Sequence, residues 1–169
     1  TAFAADALPD VCQLGNTWLP EFASLGVLEP LQALADTSDV VDPSDYFPGV
    51  WQTSVIDGQL VGIPWYVDTR LLFYRRDLLR EAGVAQAPRS WVEWEQAMAA
   101  VKAHVGPDRY AILLPVNEFE QLVSLALQQD DPLLRDDNTR GNFQSPGFRR
   151  AMAFYANMFE QGWAPKMSE

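Results

Sequence analysis

Tyr66, Asp68 and Arg70 stand at alternate positions of an aromatic-rich run, Gly62 to Tyr74, that leads directly into a helical pattern. On a strand, residues two apart share a face. The three side chains would line one face over roughly 14 Å, with Trp65, Val67, Thr69 and Leu71 on the other. A ring, a carboxylate and a guanidinium in a row suit a polyhydroxylated ligand. The ring packs on sugar C–H surface while the charged groups hold hydroxyls by strong hydrogen bonds. The competing reading of the same residues is an exposed Asp68–Arg70 ion pair beside a half-buried Tyr66, and surface pairs of that kind are common and weak.

Other chemistry is sparse. His104 is the only histidine, so a His-rich metal site is excluded. Its place beside Gly106-Pro107 predicts a bond to the last carbonyls of its helix. Cys12 is the only cysteine. It lies in the apolar run Val11 to Leu14, where burial is expected, and it permits neither an internal disulfide nor a cysteine metal cluster. No Gly-rich phosphate loop and no nucleophile elbow is present. Asp130-Asp131 and Asp136-Asp137 lack the alternating acids and central Gly of a calcium loop. No metal and no cofactor is therefore expected. Carboxylates are numerous, and a carbohydrate-active enzyme using Asp68 as one of a carboxylate pair is the alternative to a binding protein.

The 23 acidic residues outnumber the 12 basic ones, for a net charge of −11. Such a balance repels phosphate backbones and anionic membranes, so nucleic acid is not an expected partner. Apolar residues make up 48 % of the chain, enough for a packed core. Its 169 residues suit one domain or two small lobes. No run approaches the roughly 18 apolar residues of a membrane span, and no basic-then-apolar leader is visible. The Ala-rich Thr1 to Ala7 reads as the end of a helix.

Several elements must position the candidate residues. Val11 to Leu14 reads as a strand, Gly15-Asn16-Thr17-Trp18 as the loop at its carboxyl end, and Leu19 to Leu25 as a helix with Pro20 in its first turn. Leu28 to Ala35 is a helical piece broken by Pro30, and Tyr46 to Gln52 a helix capped by Ser44 or Asp45. Ser54 to Ile63 reads as a hairpin around Asp57-Gly58. A long strand runs from Trp65 to Tyr74, and Asp77 to Ala82 is a helix stopped by Gly83. Ser90 and Glu93 have capping-box spacing, and Trp91, Trp94, Met98, Val101 and Val105 form one core stripe. Tyr110 to Leu114 reads as a strand, Phe119 to Gln129 as a helix capped from Asn117, and Asp130 to Arg140 as a polar loop. A helix from Ser145 to Gln161 should bury Phe148, Met152, Tyr155 and Phe159. Alternating strands and helices predict an α/β class.

The order of short motifs is recognisable. They include Pro9-Asp10-Val11, the Gly15 to Trp18 loop, Glu21-Phe22 leading to Gly26-Val27-Leu28-Glu29-Pro30-Leu31, and Asp57-Gly58-Gln59. Gly62-Ile63-Pro64-Trp65, Asp68-Thr69-Arg70, Leu72 to Leu78, Pro88-Arg89-Ser90-Trp91 and Ser145-Pro146 through Gly162-Trp163-Ala164-Pro165 complete the series. With these motifs the chain resembles the solute-binding proteins of sugar ABC transporters, the maltose-binding-protein-like family. The resemblance implies a partial periplasmic-binding-protein-like fold whose two lobes are joined by an extended crossing strand. It places residues 1–64 in the amino-terminal lobe, 65–76 in the crossing strand or hinge, and 77–169 in the carboxyl-terminal lobe.

Carried over by position, the implied ligand contacts are Asn16 and Trp18 in the loop and Trp65, Tyr66, Asp68 and Arg70 on the crossing. The Asn117-Glu118 loop is a lesser candidate. The implied partners are a mono- or oligosaccharide and a membrane permease, with a periplasmic or extracellular location and a possible lipid anchor. Family members run to about twice this length or more, so the chain reads as an internal fragment that would expose apolar surface and self-associate. Where the family often has a Gly-Gly pair, this chain has Asp130-Asp131-Pro132, which removes backbone freedom there.

Overall fold

The computed structural model describes residues 7–166. The helix end expected over Thr1 to Ala7 lies, except for Ala7, outside them. The chain forms two compact units, Thr1–Thr69 and Arg70–Glu169.

In the first unit, helix α1 (Leu19–Ser24) carries Pro20 in its first turn, and Gly26 follows it at φ 67°. That left-handed conformation suits glycine, which has no Cβ to clash. Helix α2 is Gln32–Asp36, shorter than the sequence pattern, because Pro30 disfavours helical geometry at the residue before it. The helix expected over Tyr46 to Gln52 is shortened at its start, and the expected cap from Ser44 or Asp45 does not form. Pro43–Asp45 forms a 3-10 turn capped by Asp42, whose carboxylate accepts from Ser44 N at 2.8 Å, and α3 (Pro48–Gln52) starts at the next proline. Phe47 precedes Pro48 and is extended, which separates the two pieces.

The Asp57-Gly58 hairpin forms as expected. Strands β1 (Val55–Ile56) and β2 (Gln59–Leu60) pair antiparallel with Val55 opposite Leu60 and Ile56 opposite Gln59. Asp57 and Gly58 have φ of 50° and 78°, the signs a two-residue turn requires. Leu60 and Val61 are buried, as is Leu19, and Leu31 N donates to Leu60 O at 2.7 Å, tying the entry of α2 to the hairpin.

The second unit is mainly helical. Helix α4 (Arg76–Glu81) ends before Gly83 at φ 81°. Helix α5 (Trp91–Val105) begins at Ser90, whose hydroxyl accepts from Glu93 N at 3.2 Å. Glu93 reaches back to accept from Arg89 N at 2.6 Å, one residue earlier than the cap itself. The Trp91 stripe is core. Met98 and Val101 are buried, and Trp91 and Trp94 are half-buried against Phe154 at centroid distances of 4.4 and 5.5 Å. Trp91 also donates to Gln128 Oε1 at 2.9 Å, so its polar edge is satisfied.

Helix α6 (Glu120–Ala126) and helix α7 (Pro146–Glu160) pack together over a core of Met98, Leu114, Leu125, Ala126, Ala151, Phe154, Met158 and Ala164. The expected Asn117 cap does not form; Phe119 is the first flanking residue and no side chain caps α6. Ser145 caps α7 as expected, accepting from Phe148 N at 3.2 Å. The buried face of α7 is rotated by one residue from the sequence reading. Gly147, Ala151, Phe154 and Met158 face inward, Phe148, Tyr155 and Phe159 are half-buried, and Met152 is exposed. Gly147 and Ala151 are small, so neighbouring backbone can approach closely on that side.

Three expected strands carry no ladder: Val11 to Leu14, Trp65 to Tyr74 and Tyr110 to Leu114. An apolar run becomes a strand only when a neighbour supplies the hydrogen-bonded ladder, and none does among the described residues. Cys12 is accordingly exposed, not buried. Tyr110 to Leu114 is held differently, with Ala111 N and Ile112 N both donating to Trp163 O at 2.8 and 3.1 Å. The polar loop after α6 contains a small hairpin absent from the sequence reading, β3 (Leu134–Arg135) with β4 (Arg140–Gly141). Asp136, Asp137 and Asn138 turn it with φ of 54°, 53° and 65°; short polar side chains tolerate that region better than most. His104 does not bond its helix's last carbonyls. Its Nε2 lies 3.3 Å from Glu81 Oε2, while the Lys102 ammonium takes the Pro107 carbonyl at 2.9 Å.

Candidate functional site

Each unit holds part of the predicted set. In the first, Trp18 N donates to Gly15 O at 2.9 Å and closes the Gly15-Asn16-Thr17-Trp18 turn. Pro20 and Leu19 start α1 immediately afterwards, so the turn is anchored at its end by a buried leucine. Asn16 and Trp18 both point to solvent, with Trp18 56 % exposed.

Trp65 and Tyr66 lie together. Their rings meet edge to face at a centroid distance of 5.0 Å and an angle of 88°. An ideal strand would put them on opposite faces, but this segment pairs with no strand among the described residues, so no ladder holds the two rings apart. Both rings are exposed, at 74 % and 56 %. Gln13 Nε2 donates to the Tyr66 hydroxyl at 3.4 Å, linking the run before the Asn16 turn to the aromatic pair. Nothing in the sequence pattern singled out Gln13; this tertiary contact alone does so. Asp68 follows two residues on, exposed and in no ion pair among the described residues.

Arg70 opens the second unit and does not stand free. Its guanidinium pairs with Glu118 Oε2 at 3.5 Å and Glu120 Oε1 at 3.7 Å. Gln121 Nε2 donates to the same Glu118 oxygen at 2.8 Å. Arg70 is half-exposed and holds the approach to α6, which makes it a positioning group for Glu118 at least as much as a ligand group. The Asp68–Arg70 ion pair of the competing reading is not among the ion pairs of the described residues; Arg70 pairs with Glu118 and Glu120 instead.

Two exposed rings at right angles form an apolar corner with a carboxylate acceptor close by in sequence. Such a corner has the chemistry to stack on the C–H face of a pyranose. Among the described residues no group of three or more His, Cys, Asp or Glu side chains is placed to hold a metal ion. No described helix is long and apolar enough to cross a membrane.

Comparison with known proteins bears on this arrangement. The profile of the bacterial extracellular solute-binding proteins matches residues 1–169. The chain belongs to that family. The sugar-binding protein MalE of Xanthomonas citri is 69 % identical, superimposes with a TM-score of 0.85, and is matched over 99 % of this chain and 42 % of its own. The diacetylchitobiose binding protein DasA of Streptomyces coelicolor is 26 % identical over 170 residues, 98 % of this chain and 38 % of its own length. The GacH receptor of Streptomyces glaucescens shares the fold, with a TM-score of 0.79 at 24 % identity over 96 % of this chain and 41 % of that one. The chain thus spans about two fifths of the length of these relatives. The expected α/β, partial periplasmic-binding-protein-like fold is what these structures have in common with it. The family is one of extracellular binding proteins and not of enzymes.

Proposed function

We propose that the chain serves carbohydrate uptake as the solute-binding component of an ABC transporter, capturing a mono- or oligosaccharide between two lobes and delivering it to a membrane permease. The observation that carries this reading is its 69 % identity, over 99 % of its length, to a protein described as sugar-binding. The exposed Trp65–Tyr66 corner supports it, because paired solvent-facing rings cost solubility unless they meet a ligand. In this reading residues 1–64 belong to the amino-terminal lobe, 65–76 to the crossing and 77–169 to the carboxyl-terminal lobe. Asn16, Trp18, Trp65, Tyr66 and Asp68 contact the sugar, and Arg70 acts through Glu118. Asp68 binds and does not catalyse. The location is periplasmic or extracellular, with a lipid anchor as one form of the latter.

The test uses a chimera in which this chain replaces the matching 42 % of the Xanthomonas citri protein. A sugar panel is screened by thermal shift and calorimetry. A ligand at 100 times its Kd should stabilise the chimera by about 2.7 kcal/mol. Asp68→Ala should weaken binding about ten- to a hundred-fold, as expected for a lost charge-assisted bond of roughly 1.5–3 kcal/mol, and leave the ligand-free melting temperature unchanged. No saturable sugar binding by a folded chimera rejects the function. Binding with undiminished affinity in Asp68→Ala, or an unfolded apo variant, rejects Asp68 as a contact. Turnover of chromogenic glycosides that disappears in Asp68→Asn would favour the enzyme instead.

A further inference from the structure

Basic residues are scarce in this acidic chain, yet Arg70, Arg75, Arg76 and Arg80 fall within eleven positions of one another. Most of the neighbouring charge is matched. Arg70 takes Glu118 and Glu120, Arg75 takes Asp77 through two hydrogen bonds, and Glu81 faces His104. Arg76 and Arg80 form no ion pair with the described residues. They stand four apart on α4, where like charges are neighbours and weaken a helix. Both line one concave groove of about 320 Å³, with Tyr74, Leu79, Val84 and Gln86 around them.

Leu79 and Val84 are half-buried at the groove, its accessible lining is mostly polar, and Tyr74 and Gln86 carry neutral donors. The acids on α4 cannot neutralise the two guanidiniums without giving up Arg75 and His104. The donor fork of each guanidinium matches the planar oxygens of a carboxylate or the tetrahedral oxygens of a phosphate.

We propose that the groove between α4 and residues 84–87 binds an anionic group, a carboxylate or phosphate, through Arg76 and Arg80. This site lies wholly in the Arg70–Glu169 unit and uses none of the residues assigned to sugar. It stands or falls independently of the transport reading.

Inorganic phosphate, citrate and a glutamate-rich peptide are titrated by calorimetry, and arginine Nε–H resonances are followed by NMR. The anion should bind saturably at one site, move the Arg76 and Arg80 signals, and weaken as salt rises. Arg76→Gln with Arg80→Gln should lower the affinity about tenfold or more. Lysine at both positions should restore part of it. Arg149→Gln with Arg150→Gln removes the same charge elsewhere and should change little. Preference for phosphate or citrate identifies a small anion, and preference for the peptide identifies an acidic protein segment; both support the site. Absence of saturable binding overturns the proposal. So does equal loss in the two double variants, which would mean diffuse attraction to a less acidic surface. Circular dichroism confirms that the variants stay folded, as expected from glutamine's good helix propensity.

Discussion

Gly147 offers a test in which the sign of the effect is at stake. It sits in the first turn of α7, where exchanging glycine for alanine ordinarily gains up to about 1 kcal/mol of helix propensity. Here a Cβ would stand 2.6 Å from Asp131 Oδ2 and 2.9 Å from Gln129 Cβ. The carboxylate can swing aside. It then loses the hydrogen bond it accepts from Gly147 N, and a bond to a charged group contributes about 1.5–3 kcal/mol. Gln129 Cβ is fixed by its backbone, and overpacking against such an atom costs about 1–3 kcal/mol. The balance is a net destabilisation of about 2–4 kcal/mol for Gly147→Ala. Urea denaturation with an unchanged slope measures it. Asp131→Ala removes the carboxylate alone, and the double variant should cost less than the two single costs together, because both remove the same bond. A Gly147→Ala protein as stable as the parent, or more so, would refute the close approach of Asp131 and Gln129 to this helix.

Trp94→Ala should cost about 3 kcal/mol, the lower end for a large aromatic deletion because the ring is half-buried against Phe154; chemical denaturation showing under about 1 kcal/mol would place Trp94 on the surface. The hydrogen bond from Arg75, with Nε 2.9 Å from Oδ1, holds the Asp77 carboxyl down to about 2 from an ordinary 3.8. A depressed carboxylate stabilises the fold above its unfolded pKa and ceases to as pH falls through the folded one. The stability difference between the parent and Asp77→Asn should therefore persist above about pH 4 and vanish by about pH 2, and melting curves that keep a constant offset across that window contradict it. Phe73 and Val11 are 87 % and 90 % exposed, so the 169-residue chain alone should dimerise or form larger species; a sharp monomer in sizing with light scattering, without dye binding, would count against this.

Local chemistry was legible in the sequence wherever one or two residues decide the structure. Asp57-Gly58 can adopt the positive φ angles of a tight turn, and it does so. Ser90 and Ser145 can satisfy a free helix N–H three residues on, and both do. The Trp91 stripe has helical spacing over a full fifteen-residue helix, so its burial could be read directly. Family membership was also legible, since it rests on many short motifs in order and not on any one element.

What could not be read depends on neighbours distant in sequence. A stripe of large residues suggested the wrong face of α7, because the deciding residues were the small ones, Gly147 and Ala151, where α7 meets the rest of its unit. Asp131 explains why the Asp-Asp-Pro stretch after α6 is compatible with that packing: its carboxylate accepts from the first turn of α7 and serves as a cap supplied from sixteen residues away.

The same dependence governs the candidate site. Alternation along an assumed strand separated Trp65 from Tyr66 and joined Asp68 to Arg70. Alternation holds only while a ladder fixes the backbone. Without one, the two rings turn to a common side and Arg70 goes to Glu118 and Glu120. The residue types that suggested the chemistry, two rings and a carboxylate, remain close together in the sequence. The expected strand geometry does not hold. A pyranose meeting this corner would stack against two perpendicular rings instead of one, which makes Trp65 a stronger candidate contact than strand periodicity allowed and Arg70 a weaker one.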